Sequence, residues 1–328
     1  MSTVTTSRTA RGAQFQNWLV QNRELAAIFV VLIALIIAST LLSERFLVGR
    51  NVSNVANNAA SLALLGTGQT IVILAGGIDL SVGSNVALSN VVAALLMERY
   101  PELAVPICLG VLLMGTLIGV INGLLITRLR IPAFLVTLGM LAILQGTVLV
   151  ITRNQAGSIP SWFEFFAFGM LGPIPVGFVL GAVVVAVGIF VLRNTPFGRY
   201  VYAVGGNAEG ARLSGIPVDR VIMGTYVISG FLASMAGLFI TSRVGIGIPT
   251  INQGLELDSV TAVVIGGTNL LGGQGGLFGT VIGVFILRII DNILNLTQVS
   301  AFWQQVITGL LIVRAVAIYV PRKVRKSL

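Results

Sequence analysis

Hydrophobic positions along this chain fall in long blocks and do not alternate with polar ones. The blocks cover about residues 25–42, 54–75, 82–97, 103–127, 132–152, 176–192, 221–242, 257–271, 277–296 and 302–320. Most approach the roughly 20 apolar residues that carry a helix across a bilayer. The pattern predicts an all-α polytopic membrane protein with about ten, and at least eight, transmembrane helices. The blocks at 82–97 and 257–271 are short, and glycines interrupt the sequence beside both. A polar, glycine- and aromatic-rich stretch at 153–175 predicts a loop with an interfacial aromatic element.

Charge supports this picture and orients it. Only 9% of the 328 residues are charged, against about a quarter in a soluble domain, and the net charge is +9. Basic residues concentrate in alternate connections: Arg128 and Arg130, then Arg193, Arg199, Arg212 and Arg220, then Arg322, Lys323, Arg325 and Lys326. Cytoplasmic connections carry the excess of Lys and Arg. An even number of crossings therefore places both termini in the cytoplasm. The expected organisation is a cytoplasmic tail over 1–24, a transmembrane domain over 25–320 with a cytoplasmic loop at 193–220, and a basic tail over 321–328. The basic residues form no face interleaved with aromatics, so no nucleic-acid partner is expected. The lipid bilayer is the partner that composition implies.

Chemistry-bearing residues are scarce. The chain has no histidine and a single cysteine, Cys108, inside the apolar run "PICLGVLLMG". Ser-His-Asp catalysis, thiolate metal sites and a Gly-Lys-Ser/Thr phosphate loop are all missing. The chain is read as a non-enzyme that binds neither cofactor nor metal.

Two stretches break the apolar pattern. "LAGGIDLSVGS" holds Asp79, the one charged residue between Val52 and Met97, behind Gly76 and Gly77. A carboxylate at membrane depth is costly and faces protein or a wet cavity. Asp79 or Ser81 is expected to cap or hinge the helix beginning near Val82, with contact to a transport pathway as the alternative. The stretch is echoed by "VIGGTNLLGGQ", in which Gly266, Gly267 and Asn269 align with Gly76, Gly77 and Asp79. Paired glycine-broken helices meet near the pathway in transporters built from repeats. Asn85, Ser89, Asn90, Asn122 and Asn292 are the polar groups available either to line a passage or to bond helices together. In the polar loop, "NAEGARLSGI" predicts a short helix capped by Asn207 and stopped by Gly215 and Pro217.

The runs "GGIDLSVGS", "IPAFLVTLGM", "FGRYVYAVGGNAEGARLSGI", "GLELDSVTAVVIGGTNLLGGQGG" and "DNILNL" resemble the membrane permease subunit of bacterial ABC importers for monosaccharides, the ribose-type family. The resemblance spans nearly the whole chain from about residue 50. It implies an inner-membrane permease that performs no chemistry itself and pairs with a second copy, as a homodimer or a heterodimer. It also implies a separate ATPase subunit carrying ATP and Mg, and a periplasmic sugar-binding protein that delivers a ribose-like cargo. Such permeases carry a coupling helix with a Glu-Ala-Ala, three residues, Gly pattern. Glu209, Gly210, Ala211 and Gly215 occupy that spacing, with glycine replacing the central alanine. The resemblance thus assigns Asn207, Glu209, Gly210, Ala211, Arg212, Gly215 and Ile216 to ATPase coupling. Related ABC permeases for another sugar, branched-chain amino acids, a nucleoside or a furanosyl signalling compound stay open, as does an ion-coupled secondary transporter.

Overall fold

The structure is a computed structural model that describes residues 23–310 apart from positions 252, 301, 305 and 308. Nearly all of the expected 1–24 tail, the expected 321–328 tail and residues 311–320 lie outside the described residues. The helices are α1 (Arg23–Leu42), α2 (Gly49–Leu74), α3 (Val82–Arg99), α4 (Ala104–Arg128), α5 (Ala133–Ile151), α6 (Phe165–Phe168), α7 (Val176–Asn194), α8 (Pro196–Gly206), α9 (Ala208–Leu213), α10 (Val218–Val244), α11 (Leu255–Ile265) and α12 (Leu277–Leu296). Residues 302–304, 306–307 and 309–310 are again helical. A two-residue hairpin, β1 (Met170–Leu171) with β2 (Ile174–Pro175), precedes α7.

Among the described residues, five helices are long and apolar enough to cross a membrane: α4 with its short leading turn, α5, α7, α10 and α12. The protein is an all-α polytopic membrane protein. Burial separates its inner helices from its outer ones. About 61% of the apolar window of α10 is buried, compared with 33%, 28% and 22% in α4, α5 and α7. Helix α10 is the axis because small residues let its neighbours approach backbone to backbone. Gly115 of α4 sits against Gly230 and Ser234, Gly119 against Tyr226, and Gly68 of α2 against Ser229, each leaving no room for a Cβ. Helix α2 is buried over nearly all of its second half, from Leu62 to Leu74. Facing protein all round, it tolerates the polar run "GTGQT" that a lipid-facing helix does not.

The sequence block at 257–271 is only partly helical. Helix α11 stops at Ile265, and its 11 residues rise about 16 Å, half of a roughly 30 Å hydrocarbon core. Residues 266–276 continue as irregular backbone, which membrane proteins tolerate only where protein shields it. Thr268 in this stretch is wholly buried.

Candidate functional site

Helix α2 ends in a Schellman turn. Gly76 N donates to Ile73 O at 2.8 Å and Gly77 N to Val72 O at 3.0 Å, with Gly76 at φ +85°, the left-handed conformation that favours glycine. The chain then doubles back beside α2, where Asp79 is 1% exposed. Oriented with its nitrogen toward Asp79 O (3.0 Å) and its oxygen toward Asp79 N (3.3 Å), the Gln69 carboxamide clamps the Asp79 backbone. The Asp79 carboxylate accepts from Ser81 N at 3.0 Å, Ser81 Oγ at 2.6 Å and, across to α10, Ser229 Oγ at 2.8 Å. Asn122 of α4 donates to Ser81 Oγ at 2.9 Å. The expectation of a helix cap is corrected here. Ser81 holds the capping position of α3 but bonds no first-turn amide, because its hydroxyl is given to Asp79. Asp79 forms a local turn and braces α2, α3, α4 and α10 around the break.

Helix α11 ends in the same turn, with Gly267 N to Val264 O at 2.9 Å, Thr268 N to Val263 O at 3.1 Å and Gly267 at φ +85°. Gly267 is thus the counterpart of Gly76, one residue out of step with the sequence echo. Asn269 does not stand where Asp79 stands, nor does it cap α12, which begins at Leu277 after Gly276. Its Oδ1 accepts from Leu271 N at 3.1 Å within the connecting loop. Gly266 packs against the backbone of Gly279 with no space for a side chain.

The two breaks touch each other and the end of α8. Gly273 N donates to Leu74 O at 3.0 Å. A Cβ on Gly205 would lie 1.8 Å from Leu74 O and 2.7 Å from Gly273 N, and one on Gly272 would lie 3.0 Å from Gly76 Cα. Tyr202 of α8 donates from its hydroxyl to Gly275 O at 3.0 Å. Burial pushes the Tyr202 phenol above its ordinary pKa despite the Arg193 charge. Gly205→Ala is expected to destabilise the fold by about 1–3 kcal/mol, the usual range for overpacking. Thermal unfolding in detergent checks this, with Gly206→Ala as the control, since nothing lies within 4 Å of a Cβ there.

The loop at 195–217 carries two helices where the sequence predicts one. Thr195 caps α8 through Gly198 N at 3.3 Å, with Pro196 in the first turn, a position that suits proline. Asn207 then ends α8 and caps α9, accepting from Gly210 N at 2.9 Å. A third Schellman turn closes α9. Gly215 is at φ +81°, with Gly215 N to Arg212 O at 3.0 Å and Ile216 N to Ala211 O at 3.0 Å. Ala211 and Ile216 pack on Val201, Val204, Val218 and Val221, which fixes α9 to the bundle by one face. Its other face is free. Leu213 is 82% exposed, and the Glu209 side chain is 71% exposed beside Arg212 at 3.7 Å. Arg212 also lies 3.6 Å from Asp219, which pairs with Arg130 at 3.3 Å. At such exposure these pairs contribute little stability, but they orient the loop against α10. Asn207→Ala is expected to cost α9 about 1 kcal/mol. Faster tryptic cleavage at Arg212, with bundle unfolding unchanged, checks it.

The remaining predicted polar residues bond helix to helix, except Ser89, which bonds within α3. Asn85 donates to Gly230 O at 3.0 Å and accepts from Ser89 at 3.3 Å. Asn90 holds Thr241 Oγ1, Ile246 O and Ile248 N. Asn292 and Asn51 exchange two amide bonds at 2.8 and 2.9 Å. Asn85, Ser89, Asn90 and Asn122 are at most 1% exposed, so none faces an open passage in this conformation. Sequence reasoning missed Gln69, Ser229, Leu213 and Asp219. It also missed a charged cluster in which Arg288 of α12 pairs with Asp258 of α11 at 2.8 Å and with Asp291 at 2.7 Å. Among the described residues no group of three His, Cys, Asp or Glu side chains is placed to hold a metal.

Residues 51–316 match the family described as "Branched-chain amino acid transport system / permease component". The chain belongs to this permease family. Two relatives named as ribose import permeases resemble it over most of their length. That of Escherichia coli strain K12 is 36% identical over 322 residues, covering 95% of this permease and 98% of the relative. That of Bacillus subtilis strain 168 is 40% identical over 294 residues, covering 88% and 90%. A fructose import permease from Rhizobium meliloti is 35% identical over 318 residues, covering 93% and 87%. No solved structure matches the permease.

Proposed function

We propose that this permease is the membrane-spanning subunit of an ATP-dependent importer that carries a ribose-like monosaccharide across a bacterial inner membrane. The observation that carries the reading is the 36–40% identity to ribose import permeases over nearly the full chain. Both termini and the 195–217 loop lie in the cytoplasm on this reading, as the arginine distribution indicates, and the ten apolar segments make ten passes, the one at 257–271 through α11 and the irregular stretch after it. A separate ATPase subunit binds ATP and Mg, a periplasmic protein delivers the sugar, and a second permease copy completes the passage.

Helix α9 suits the ATPase contact because its inner face is anchored while Glu209 and Leu213 project outward. A push on α9 travels into α8, whose Gly205 lies against both helix breaks. Gly205 touches the carbonyl of Leu74, and that carbonyl accepts from Gly273, so one displacement moves the ends of α2 and α11 together. Alternating access of this kind moves one set of helices against another around a central site. Asp79 contributes no chemistry to this cycle and holds the first break to α10.

The reading is tested by adding ribose-loaded binding protein to the permease assembled with its ATPase and measuring ATP hydrolysis. Hydrolysis is expected to rise with ribose-loaded binding protein and not with the sugar alone. Indifference to the loaded binding protein contradicts it. The family description favours a second cargo, a branched-chain amino acid. Stimulation by a leucine-loaded binding protein, with none by a ribose-loaded one, decides for that cargo.

A further inference from the structure

Helices α4 and α7 pack on different neighbours. Helix α4 follows α10 through the glycine contacts at Gly115 and Gly119, whereas Gly181 of α7 packs on Ala60 of α2. At the end of the bundle away from α8 and α9, this leaves part of α10 uncovered. A cavity of about 250 Å³ lies there, walled by Cys108 and Leu112 of α4, Leu180 of α7, and Met235, Leu238 and Phe239 of α10. The aromatic segment before the hairpin closes one end. Phe163 is buried and stacks edge-on with Trp162 at 5.6 Å and with Phe166 at 5.5 Å, and Asn57 of α2 ties the segment down through Ala167 O at 2.9 Å. Every side chain lining the cavity is apolar or the Cys108 thiol.

We propose that this cavity is a binding site for one acyl chain of a phospholipid. An empty apolar cavity forfeits packing on every wall, and an apolar cavity does not draw in water. Hydrocarbon is the occupant that restores this packing without burying a polar group. Two lining residues, Val105 and Leu109, are 59% and 64% exposed, on a helix whose apolar window is only one-third buried. The cavity thus opens sideways from a membrane-crossing helix, where lipid chains are the surrounding medium. A partner helix, about 10 Å across, is too wide for a slot of this volume closed by an aromatic lid, whereas a flexible chain threads it. The bound chain fills the gap between α4 and α7 against α10. The site is independent of the cargo assignment.

Cys108 reports on the site because it is the one cysteine of the chain. The full-length protein is purified in a steroid-based detergent that lacks an alkyl chain. N-ethylmaleimide labelling of Cys108 is then followed while dioleoyl phosphatidylglycerol is added. At a lipid concentration about ten times its dissociation constant, occupancy is expected to slow labelling about tenfold. Labelling unchanged by lipid overturns the proposal. So does protection that follows protein concentration without lipid, which assigns the slot to a second copy. Native mass spectrometry gives a readout that does not depend on thiol reactivity. Wild-type protein is expected to retain one phospholipid more per chain than Cys108→Phe, which fills the slot, and Cys108→Ala is expected to retain the wild-type number. Equal retention in wild type and Cys108→Phe overturns the proposal.

Discussion

Asp79→Leu is expected to abolish stable accumulation of the protein, while Asp79→Asn accumulates and transports at a level near wild type. The carboxylate accepts three hydrogen bonds inside the bundle, from Ser81 N, Ser81 Oγ and Ser229 Oγ. Leucine accepts none of them. The Ser81 amide and the Ser229 hydroxyl are then left buried without a partner, at about 1–3 kcal/mol each. Asparagine keeps an acceptor for Ser81 N and turns its amide nitrogen to Ser229 Oγ, so the change stays within about 1 kcal/mol. The midpoint of heat-induced loss of the monodisperse species on size exclusion separates the two variants. Equal collapse of both contradicts the hydrogen-bond account and shows that the carboxylate itself holds the break.

Leu213→Asp is expected to leave the permease folded and inserted while removing ATPase binding and transport together. Leu213 is 82% exposed at the tip of α9, so its replacement disturbs no packing. An apolar residue so exposed at the end of a short anchored helix suits a buried contact in an interface. A charge placed there must be desolvated when the ATPase docks, and a loss of about 2 kcal/mol or more, the size of an interface hot spot, is expected. That corresponds to at least about a 30-fold drop in affinity. Glu209→Arg is expected to act in the same direction and to release Arg212 from its 3.7 Å contact as well. Co-purification of the ATPase with each variant provides the measurement. Wild-type co-purification and uptake in Leu213→Asp removes α9 from the interface.

The membrane class and most helix positions were legible because block length and arginine placement are properties of the chain itself. Asn207 as the cap of α9 and Gly215 as its stop were legible for the same reason, since caps and left-handed turns are local. Two kinds of feature were not legible. The first is tertiary satisfaction. Asp79 was read as a helix cap, but besides its local bonds from Ser81 it is held by Gln69 ten residues earlier and Ser229 on α10, and no local rule reports a contact across 150 residues. The second is register. The echo aligned Gly76 with Gly266, yet the turns match Gly76 with Gly267, because hydrogen-bond geometry and not letter identity decides which glycine takes positive φ. Helix α8 escaped notice since "FGRYVYAVGG" is a helix held by packing on Leu74 and Gly273 and two of its last residues are glycine. In the Arg288, Asp258 and Asp291 cluster the Arg288–Asp291 pair is a local spacing on α12, but its join to Asp258 on α11, 30 residues earlier, is a contact between helices that no local rule reports.

Uptake of labelled ribose into proteoliposomes tests the importer reading most directly, with the permease alone and with its ATPase and binding protein added. Uptake is expected only when both partners and ATP are present, and it should cease when ATP is replaced by a non-hydrolysable analogue. Uptake by the permease alone, driven by an ion gradient, contradicts an ATP-dependent importer.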